Sequence, residues 1–512
     1  MSDTNISYNS NTINNEFSAW TKVFYLSLLL TFLSVALFQG TRGLYETTEG
    51  RYALCARETL KSGNILEPIL HGKHHWTKPP LTYIAIGCGL LIFGENSTWG
   101  ARFYLIPAFF FTVLFVFLLT TELWDFKTGV LASLLYGTSP FLIGGANAIS
   151  TDTLLVLWHA ITYYSFWKVY KSKKKLYVYL FWLALGLGCI TKGPMGFIPL
   201  FGIVPFSLIR WIKYKESFWH FISPIGILLF FIIGISWYLY EDYKHPGLLK
   251  YWFLHETIGR LAEGEFDRNP EWYKIFPVYV APLLFGTGLW MILLIYSAIQ
   301  LRGKSQKSTL FVHISSPEWL FITLTFVLPM VFFFISKSKL SLYILPLFIP
   351  MCSAMGKILN DAIENKIIRL KHIVILAILQ AILIIIGKGV SAYLPNSKDM
   401  KQLGKDIVPL IQKFSAVELY TVKSRELNGL EFYLNIPVPE IEIAEENTNA
   451  SNINKSEIEE KIINLLKSST QIKKIIIVPR KIETYLKVLN LPPQIKIEKI
   501  NKYWFAIYWN EG

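Results

Sequence analysis

The sequence predicts a mostly α-helical membrane protein: a polytopic helix bundle with a small soluble α/β domain at its C-terminal end. Hydrophobic residues make up 52% of the 512 residues and charged residues only 17%, against about 25% charged residues in a typical soluble domain. Apolar runs long enough to cross a bilayer recur as far as residue 387, and after Lys388 the composition changes to Lys, Glu, Asn and Ile.

About eleven apolar segments are predicted to span the membrane. The polar N-terminal tail, residues 1–21, shows no evident cleavage site before the first span, so an uncleaved anchor is predicted. The apolar run 81–94 would rise only about 21 Å as a helix, and it is therefore assigned to the membrane interface. The predicted spans are 22–39, 101–121, 128–146, 153–170, 176–191, 195–211, 221–239, 274–299, 318–335, 340–357 and 372–387.

The basic residues predict the orientation of these spans. The formal net charge is +14, but the lysines and arginines cluster in short loops such as 171–175 and 210–215. This is the positive-inside pattern of membrane proteins, and it argues against nucleic acid as a partner. The membrane domain is then residues 22–390, with the loop 40–100 and the soluble domain 395–512 on the outer face.

The segment after residue 395 reads as alternating short strands and helices. "AVELYTV", "PEIEIA", "KKIIIVP" and the final "KYWFAIYW" are rich in β-branched and aromatic residues, which favours strands. "SKDMKQLGKDIVPLIQKF", "KSEIEEKIINLLKSS" and "KIETYLKVL" have the spacing of helices. Such an alternation predicts an α/β domain.

Two carboxylates near membrane-helix ends are candidates for chemistry. Glu49 lies in the first turn of a helix predicted to begin at Thr47 or Thr48, where it either complements the helix dipole or contacts a ligand. Asp152 lies at the start of a predicted span, where a carboxylate is costly unless it caps the helix or faces a polar cavity.

Five cations are predicted on the same outer side. Taken singly, each can extend its side chain to lipid headgroups. Taken together at separate breaks between helices, they favour one anionic binding site, such as a phosphate. The five are Lys78, Lys192, Arg260, Lys337 and Lys339.

A metal centre is not the preferred interpretation of the histidines. His71, His74 and His75 lack the spacing that places two ligands on one helix face, and the four cysteines show no paired spacing. No glycine-rich phosphate loop is present, which argues against a nucleotide-driven pump.

Several blocks together resemble bacterial lipid-linked-sugar glycosyltransferases: the protein O-mannosyltransferase-like enzymes and, most closely, the aminoarabinose lipid A transferases. Each block alone is weak, but the set occurs in the family's order. The blocks are "ETTEGRYALCARETLKSGN", "PILHGKHHWTKPPLTY", "FGENSTWGARF", "ANAISTDTLLVLW", "ITKGP", "HETIGRL", "PEWYKIFPVY" and "SKSKLSLYILP".

The resemblance implies a GT-C fold with juxtamembrane helices in the bacterial inner membrane and an active site that faces the periplasm. It implies a polyprenyl-phosphate sugar donor and, as acceptor, lipid A or another envelope glycolipid. It also implies residue roles: Glu49 and Asp152 catalytic, with donor and acceptor phosphates held by Lys78, Lys192, Arg260, Lys337, Lys339 and Tyr343.

The chain departs from the aminoarabinose branch at three points. The first loop carries Thr48–Glu49 instead of an Asp–Glu pair. Thr77 and Thr257 stand where that branch often has a Glu and a His associated with a bound metal. No metal ligand is therefore assigned, and both a divalent metal and the identity of the sugar stay open.

The sequence favours direct displacement of polyprenyl phosphate from the sugar, in which cations stabilise the leaving group. The alternatives are a protein O-mannosyltransferase-like enzyme and, from other classes, a flippase for a polyprenyl-linked substrate or a non-catalytic scaffold. A flippase predicts charges at mid-membrane depth and two related halves. A transferase predicts that Glu49→Gln and Asp152→Asn each abolish transfer without lowering membrane abundance.

Overall fold

The computed structural model describes residues 3–46, 48–263, 268–304, 316–414, 416–422, 426–441, 455–467, 472–480 and 491–510. These residues are mostly helical with a small sheet near the C-terminus, which confirms the predicted fold class. They form two compact units. The helical unit comprises Met1–Gln39, His75–Ala85 and Arg102–Gly389, and the mixed unit comprises Gly40–His74, Ile86–Ala101 and Val390–Gly512.

The helical unit consists mainly of α-helices, with short 3-10 and π-helical segments between some of them. Its α-helices are Asp3–Ala36, Leu105–Leu123, Phe126–Gly137, Pro140–Gly145, Asp152–Ser172, Lys175–Lys192, Leu200–Tyr214, Pro224–Phe230, Ser236–Lys244, Leu248–Lys250, Ala281–Phe285, Trp290–Lys304, Pro317–Ile335, Phe348–Glu364 and Leu370–Tyr393, the last of which continues into the mixed unit. Tighter or wider helical turns occupy Gly193–Phe197, Trp219–Phe221, Phe231–Ile235, Tyr251–Glu263, Trp272–Lys274, Phe276–Val280 and Ser341–Leu347.

Within the described residues, seven helices are long and apolar enough to cross a membrane, or eight if one pair bent by 71° counts as a single span. This is fewer than the eleven spans predicted. The seven are Phe17–Ala36, Thr98–Leu123, Lys175–Phe197, Pro224–Lys244, Pro317–Ile335, Ser341–Glu364 and Leu370–Tyr393, and the bent pair is Trp272–Phe285 with Trp290–Gly303.

The other three predicted spans, 128–146, 153–170 and 195–211, are not in this set, which rests on helix length and apolar composition alone. Segment 128–146 is broken before Pro140, whose ring fits the first turn of a new helix. In segment 195–211 the α-helix Leu200–Tyr214 has 15 residues and rises about 22 Å, and the turn Gly193–Phe197 precedes it. Helix Asp152–Ser172 is long enough, but most of its residues are buried by other helices, so it tolerates polar side chains such as His159 and Lys168.

Aromatic packing holds the centre of the helical unit together. The ring of Phe166 stacks on Phe321 with centroids 5.5 Å apart and on Phe221 with centroids 4.6 Å apart. Trp167 is fully buried and lies 5.1 Å from Phe321. These contacts fix helix Asp152–Ser172 against Pro317–Ile335, and the first of these helices carries Asp152.

The mixed unit contains a four-stranded sheet whose strands lie in the order β3 (Val417–Thr421), β4 (Lys473–Pro479), β6 (Trp504–Trp509) and β5 (Ile495–Lys499). Strands β3 and β4 are parallel, and the other neighbouring pairs are antiparallel. Its helices include Thr48–Ser62, Thr98–Arg102, Met400–Ile411, Asn428–Leu434 and Lys455–Lys467, and helix Leu81–Phe93 is divided between the two units. Its strands are β1 (Ile69–Leu70), β2 (Lys73–His74), β3 (Val417–Thr421), β4 (Lys473–Pro479), β5 (Ile495–Lys499) and β6 (Trp504–Trp509).

Most predicted elements of the C-terminal segment are confirmed, namely strands β3, β4 and β6 and the helices at 400–411 and 455–467. The predicted strand "PEIEIA" (439–444) is described only as far as residue 441, and there Glu440 forms an isolated β-bridge with Thr421. The predicted helix 481–489 lies outside the described residues. Strand β5 and helix Asn428–Leu434 were not predicted. Strand β5 is an edge strand with mostly exposed side chains, so its sequence carries little of the usual signal.

Candidate active site

The centre of the candidate site is an ion pair between two residues 40 positions apart. The Lys192 Nζ atom lies 2.5 Å from Asp152 Oδ1, and each side chain is only 11% exposed. Helix Asp152–Ser172 begins without a side-chain cap from Thr151. The carboxylate of Asp152 thus binds a lysine from a different helix, which favours a site role over the alternative of a helix cap.

The local sequence explains why Lys192 stands where it does. Helix Lys175–Lys192 ends at Gly193, whose φ of +61° is rarely adopted by other residues. Pro194 then begins the tight turn Gly193–Phe197. A Cβ atom at Gly196 would lie 2.5 Å from the backbone nitrogen of Cys189, so only glycine allows this turn to fold back onto the helix. The "ITKGP" block is therefore a rigid corner that presents one lysine.

A narrow cleft opens beside this ion pair. Asp152, His159 and Lys192 line it together with Tyr343, and the other lining residues are apolar. The Lys192 Nζ atom lies 4.3 Å from the centroid of the Tyr343 ring, within the range of a cation–π interaction. The cleft thus joins a cation, a carboxylate and a phenol to apolar walls.

The "SKSK" block divides its two lysines between different roles. Lys339 is 3% exposed, and its Nζ atom donates to the Pro270 carbonyl oxygen at 3.1 Å. Burial lowers the pKa of Lys339, although the charge of Glu271 acts in the opposite direction. Lys337 is exposed. Lys339 therefore contacts the 268–270 segment and Lys337 does not share its burial, while phosphate binding by either lysine stays a prediction.

That segment brings a further cation to the hydroxyl group of Tyr343. The backbone nitrogen of Lys339 donates to the Arg268 carbonyl oxygen at 2.8 Å. The Arg268 guanidinium in turn lies 3.3 Å from the hydroxyl oxygen of Tyr343. Tyr343 is thus held between two cations, Lys192 at its ring and Arg268 at its hydroxyl.

Lys78 belongs to a second ion pair of the helical unit. Its Nζ atom lies 2.9 Å from Glu256 Oε2, and these side chains are 16% and 7% exposed. The indole nitrogen of Trp252 donates to the Trp76 carbonyl oxygen at 2.7 Å, which ties the "WTKPP" block to Tyr251–Glu263. Arg260 lies in that same helical stretch, but its side chain lies outside the described residues.

Glu49 is tightly bound within the mixed unit. Its Oε2 and Oε1 atoms accept hydrogen bonds from the two terminal nitrogens of Arg42 at 2.7 and 3.2 Å, and Oε2 also accepts from the Tyr45 backbone at 2.8 Å. The Arg42 guanidinium also lies 3.8 Å above the Tyr45 ring. Glu49 belongs to the mixed unit and Asp152 to the helical unit, so their convergence in one pocket stays a prediction.

Comparisons with known proteins agree with this fold and with the motifs. A family model described as dolichyl-phosphate-mannose-protein mannosyltransferase matches residues 22–251. The chain is similar to proteins named undecaprenyl phosphate-alpha-4-amino-4-deoxy-L-arabinose arabinosyl transferase. The one from Pseudomonas savastanoi pv. phaseolicola (strain 1448A / Race 6) is 28% identical, over 66% of this chain and 61% of the relative. The one from Yersinia pestis (strain Pestoides F) is 28% identical, over 74% of this chain and 68% of the relative.

A solved structure shares the fold. The crystal structure of ArnT from Cupriavidus metallidurans bound to undecaprenyl phosphate superimposes with a TM-score of 0.70 and 17% identity, over 96% of this chain and 98% of that one. The chain therefore shares the GT-C fold of that protein and is similar in sequence to the aminoarabinose transferases. It spans only about three fifths of the length of the Pseudomonas relatives that it matches (61% and 59%).

The two family positions associated with a metal do not fit one here. The Thr77 hydroxyl lies 2.7 Å from His75 Nε2, and the Thr257 hydroxyl donates to the Trp252 carbonyl oxygen at 2.8 Å. Neutral hydroxyls engaged in such bonds are poor ligands for Zn²⁺, which prefers imidazole, thiolate and carboxylate. Thr77 and Thr257 are therefore not metal ligands in this arrangement.

Sequence reasoning missed three charged partners: Arg42 of Glu49, Glu256 of Lys78 and Arg268 of Tyr343. Of these three, only Glu256 could have been selected from the sequence, because it lies in the "HETIGRL" block that resembles the family. Arg42 and Arg268 read as ordinary loop cations, and only the folded chain brings them to their partners.

Glu46 provides a pH test of the mixed unit. Its Oε2 atom accepts from the Gly429 backbone at 2.7 Å, whereas its buried Oε1 atom has no hydrogen-bond partner within the described residues. Burial raises the pKa of Glu46 to about 8; the Glu426 charge adds to this effect, and the Gly429 amide and Arg51 oppose it. In the unfolded chain this carboxyl ionises near pH 4.5.

The folded state therefore binds more protons than the unfolded state between about pH 4.5 and 8, and it loses stability as the pH rises through this window. We expect Glu46→Gln to remove that loss and to stabilise the mixed unit by roughly 1–3 kcal/mol above pH 8. Thermal unfolding of the purified protein from pH 5 to 9 measures this difference. Glu95→Gln, which changes an exposed glutamate of the same unit, is the matched control. Equal pH profiles for wild type and Glu46→Gln would contradict the assignment.

Proposed function

We propose that the protein is a membrane glycosyltransferase that moves a sugar from a polyprenyl-phosphate donor to a lipid A-type acceptor. One observation carries this proposal: a buried Asp152–Lys192 pair lines a cleft with Tyr343 in a GT-C fold. The cleft offers positive charge for a phosphate at its ion pair and apolar walls for the adjoining lipid chain.

The reaction that suits this cleft is a displacement at the anomeric carbon of the sugar. An acceptor oxygen forms a new bond to that carbon while the bond to the donor phosphate oxygen breaks. The bonding electron pair leaves with the polyprenyl phosphate, whose negative charge increases. Lys192 is placed to stabilise this charge, and Asp152 holds the lysine and orients the acceptor or steadies positive charge on the sugar ring.

The nature of the acceptor decides whether a base is needed. A phosphate oxygen of a lipid A-type acceptor is already ionised near neutral pH, so it attacks without losing a proton. A hydroxyl acceptor must transfer its proton to a carboxylate, and Asp152 or Glu49 would then act as the general base. We propose the phosphate acceptor because the relatives named arabinosyl transferases match the chain over more residues than the mannosyltransferase model does.

The proposal includes a location. When all eleven predicted spans are counted as crossing, the basic loops lie on one side of the membrane and the start of helix Asp152–Ser172 on the other. We therefore propose a multi-pass protein of the bacterial inner membrane, with residues 22–390 as its membrane domain, the cleft facing the periplasm and residues 395–512 as a soluble domain on that face.

The second candidate is a protein O-mannosyltransferase-like enzyme, which the match of residues 22–251 to the mannosyltransferase family favours. Mass spectrometry of cells with and without the gene separates the two. Our proposal predicts a pentosamine, hexosamine or hexose mass on lipid A only in cells that contain the protein. A sugar lost from glycoproteins while lipid A stays unchanged would support the second candidate and contradict the first.

A further inference from the structure

The cleft contains one buried polar group to which the proposed chemistry assigns no role. His159 lines the same cleft as Asp152 and Lys192, and its residue is 1% exposed. Its position is seven residues after Asp152 on one helix, about 10 Å along the axis and on the same face.

The hydrogen bonding of the ring identifies which nitrogen is available. The Nε2 atom of His159 lies 3.1 Å from the Met195 carbonyl oxygen. A carbonyl only accepts hydrogen bonds, so Nε2 carries a hydrogen and donates it. The Nδ1 atom is buried and has no hydrogen-bond partner within the described part of the chain.

A second proton on this ring would place another cation in a cleft that already contains Lys192, with largely apolar walls. Burial of such an additional charge is unfavourable, so the ring is neutral and Nδ1 presents a bare lone pair. Buried polar groups in proteins are nearly always paired, and an unpaired acceptor in a ligand cleft calls for a partner.

We propose that His159 Nδ1 accepts a hydrogen bond from a hydroxyl or amino group of the donor sugar. This inference rests on the proposed function, because it takes the sugar-bearing lipid as ligand. An ionised phosphodiester has no hydrogen to donate and pairs with Lys192 instead, and a polyprenyl chain has no donor at all. Of the three parts of the donor lipid, only the sugar satisfies Nδ1.

Two substitutions separate this role from a structural one. His159→Asn keeps an acceptor near the position of Nδ1 but is too short to reach Met195. His159→Gln keeps a donor near the position of Nε2 and loses the acceptor at Nδ1. If His159 binds the sugar, His159→Gln is expected to lose sugar binding and His159→Asn to keep it. If His159 only anchors the turn at Met195, His159→Asn is expected to be the more damaged variant.

The probes are a short-chain polyprenyl phosphate, bare or loaded with mannose or with 4-amino-4-deoxyarabinose. Wild type and His159→Asn are expected to bind one loaded lipid ~10-fold more tightly than the bare lipid, and His159→Gln is expected to lose this preference. In transfer assays the glutamine variant should show a raised KM with little change in kcat. Deoxy analogues that lack the contacting group should bind wild type and His159→Gln alike.

Equal preferences in the two variants and wild type, or a greater loss in His159→Asn, would overturn the inference. The binding assay needs no turnover, so it also separates this inference from the proposed function. A wild-type protein that prefers a loaded lipid through His159 but transfers no sugar would contradict the proposed function and still support the His159 contact.

Discussion

Asp152→Asn is expected to lower sugar transfer by at least ~100-fold, because electrostatic groups at a reacting centre contribute effects of this size. Asparagine keeps an oxygen that can accept from Lys192, so the corner at Gly193 should stay folded. What is lost is the negative charge that holds Lys192 2.5 Å away and faces the cleft. The measurement is the initial rate of transfer in membranes that contain equal amounts of each protein.

The matched control is Asp361→Asn. Asp361 also pairs with a lysine, Lys357, at 2.6 Å in the same unit, but it does not line the cleft. We expect this variant to transfer at close to the wild-type rate. Near wild-type transfer by Asp152→Asn would remove Asp152 from the catalytic machinery.

The second large effect concerns the Arg42–Glu49 pair. Both side chains are under 10% exposed, and removal of one member of a buried pair typically costs about 3–5 kcal/mol. Glu49→Gln and Arg42→Gln are therefore each expected to destabilise the mixed unit. Because Glu49→Gln would leave Arg42 without its carboxylate partner, this variant is expected to lose stability, whereas the sequence alone predicted unchanged membrane abundance.

The double variant distinguishes a structural glutamate from a catalytic one. Removal of both charges leaves no unpaired ion, so Arg42→Gln/Glu49→Gln should recover much of the lost stability. If Glu49 acts on the substrate, transfer stays absent even so. Thermal unfolding and transfer rates are measured on the same four proteins. Recovery of both stability and transfer in the double variant would show that Glu49 serves the fold.

Of the predicted site residues, the structure brings Asp152, Lys192 and Tyr343 to one cleft, and the sequence did not show how they pair. Asp152 and Lys192 were singled out separately, and the structure joins them in one ion pair. In "SKSK" the two lysines look alike in sequence, yet Lys339 is buried and Lys337 exposed. That difference depends on the 268–270 segment, which lies about 70 residues away along the chain.

The helix count illustrates a second limit. Hydropathy measures how well a helix would tolerate lipid, and the predicted spans 318–335 and 372–387 fall on the apolar helices Pro317–Ile335 and Leu370–Tyr393. Helix Asp152–Ser172 is packed against other helices over most of its length and does not have to satisfy lipid. Two of its polar residues, Asp152 and His159, line the cleft.

The central claim is sugar transfer, and reconstitution of the purified protein in lipid nanodiscs tests it most directly. The protein is mixed with a sugar-loaded polyprenyl phosphate and lipid A, and both lipids are followed by mass spectrometry. We predict that lipid A gains the mass of one sugar residue as an equal amount of bare polyprenyl phosphate appears, with wild type and Asp361→Asn but not with Asp152→Asn. An intact donor and unmodified lipid A, together with movement of the loaded lipid across vesicle bilayers, would contradict the claim and identify a transporter.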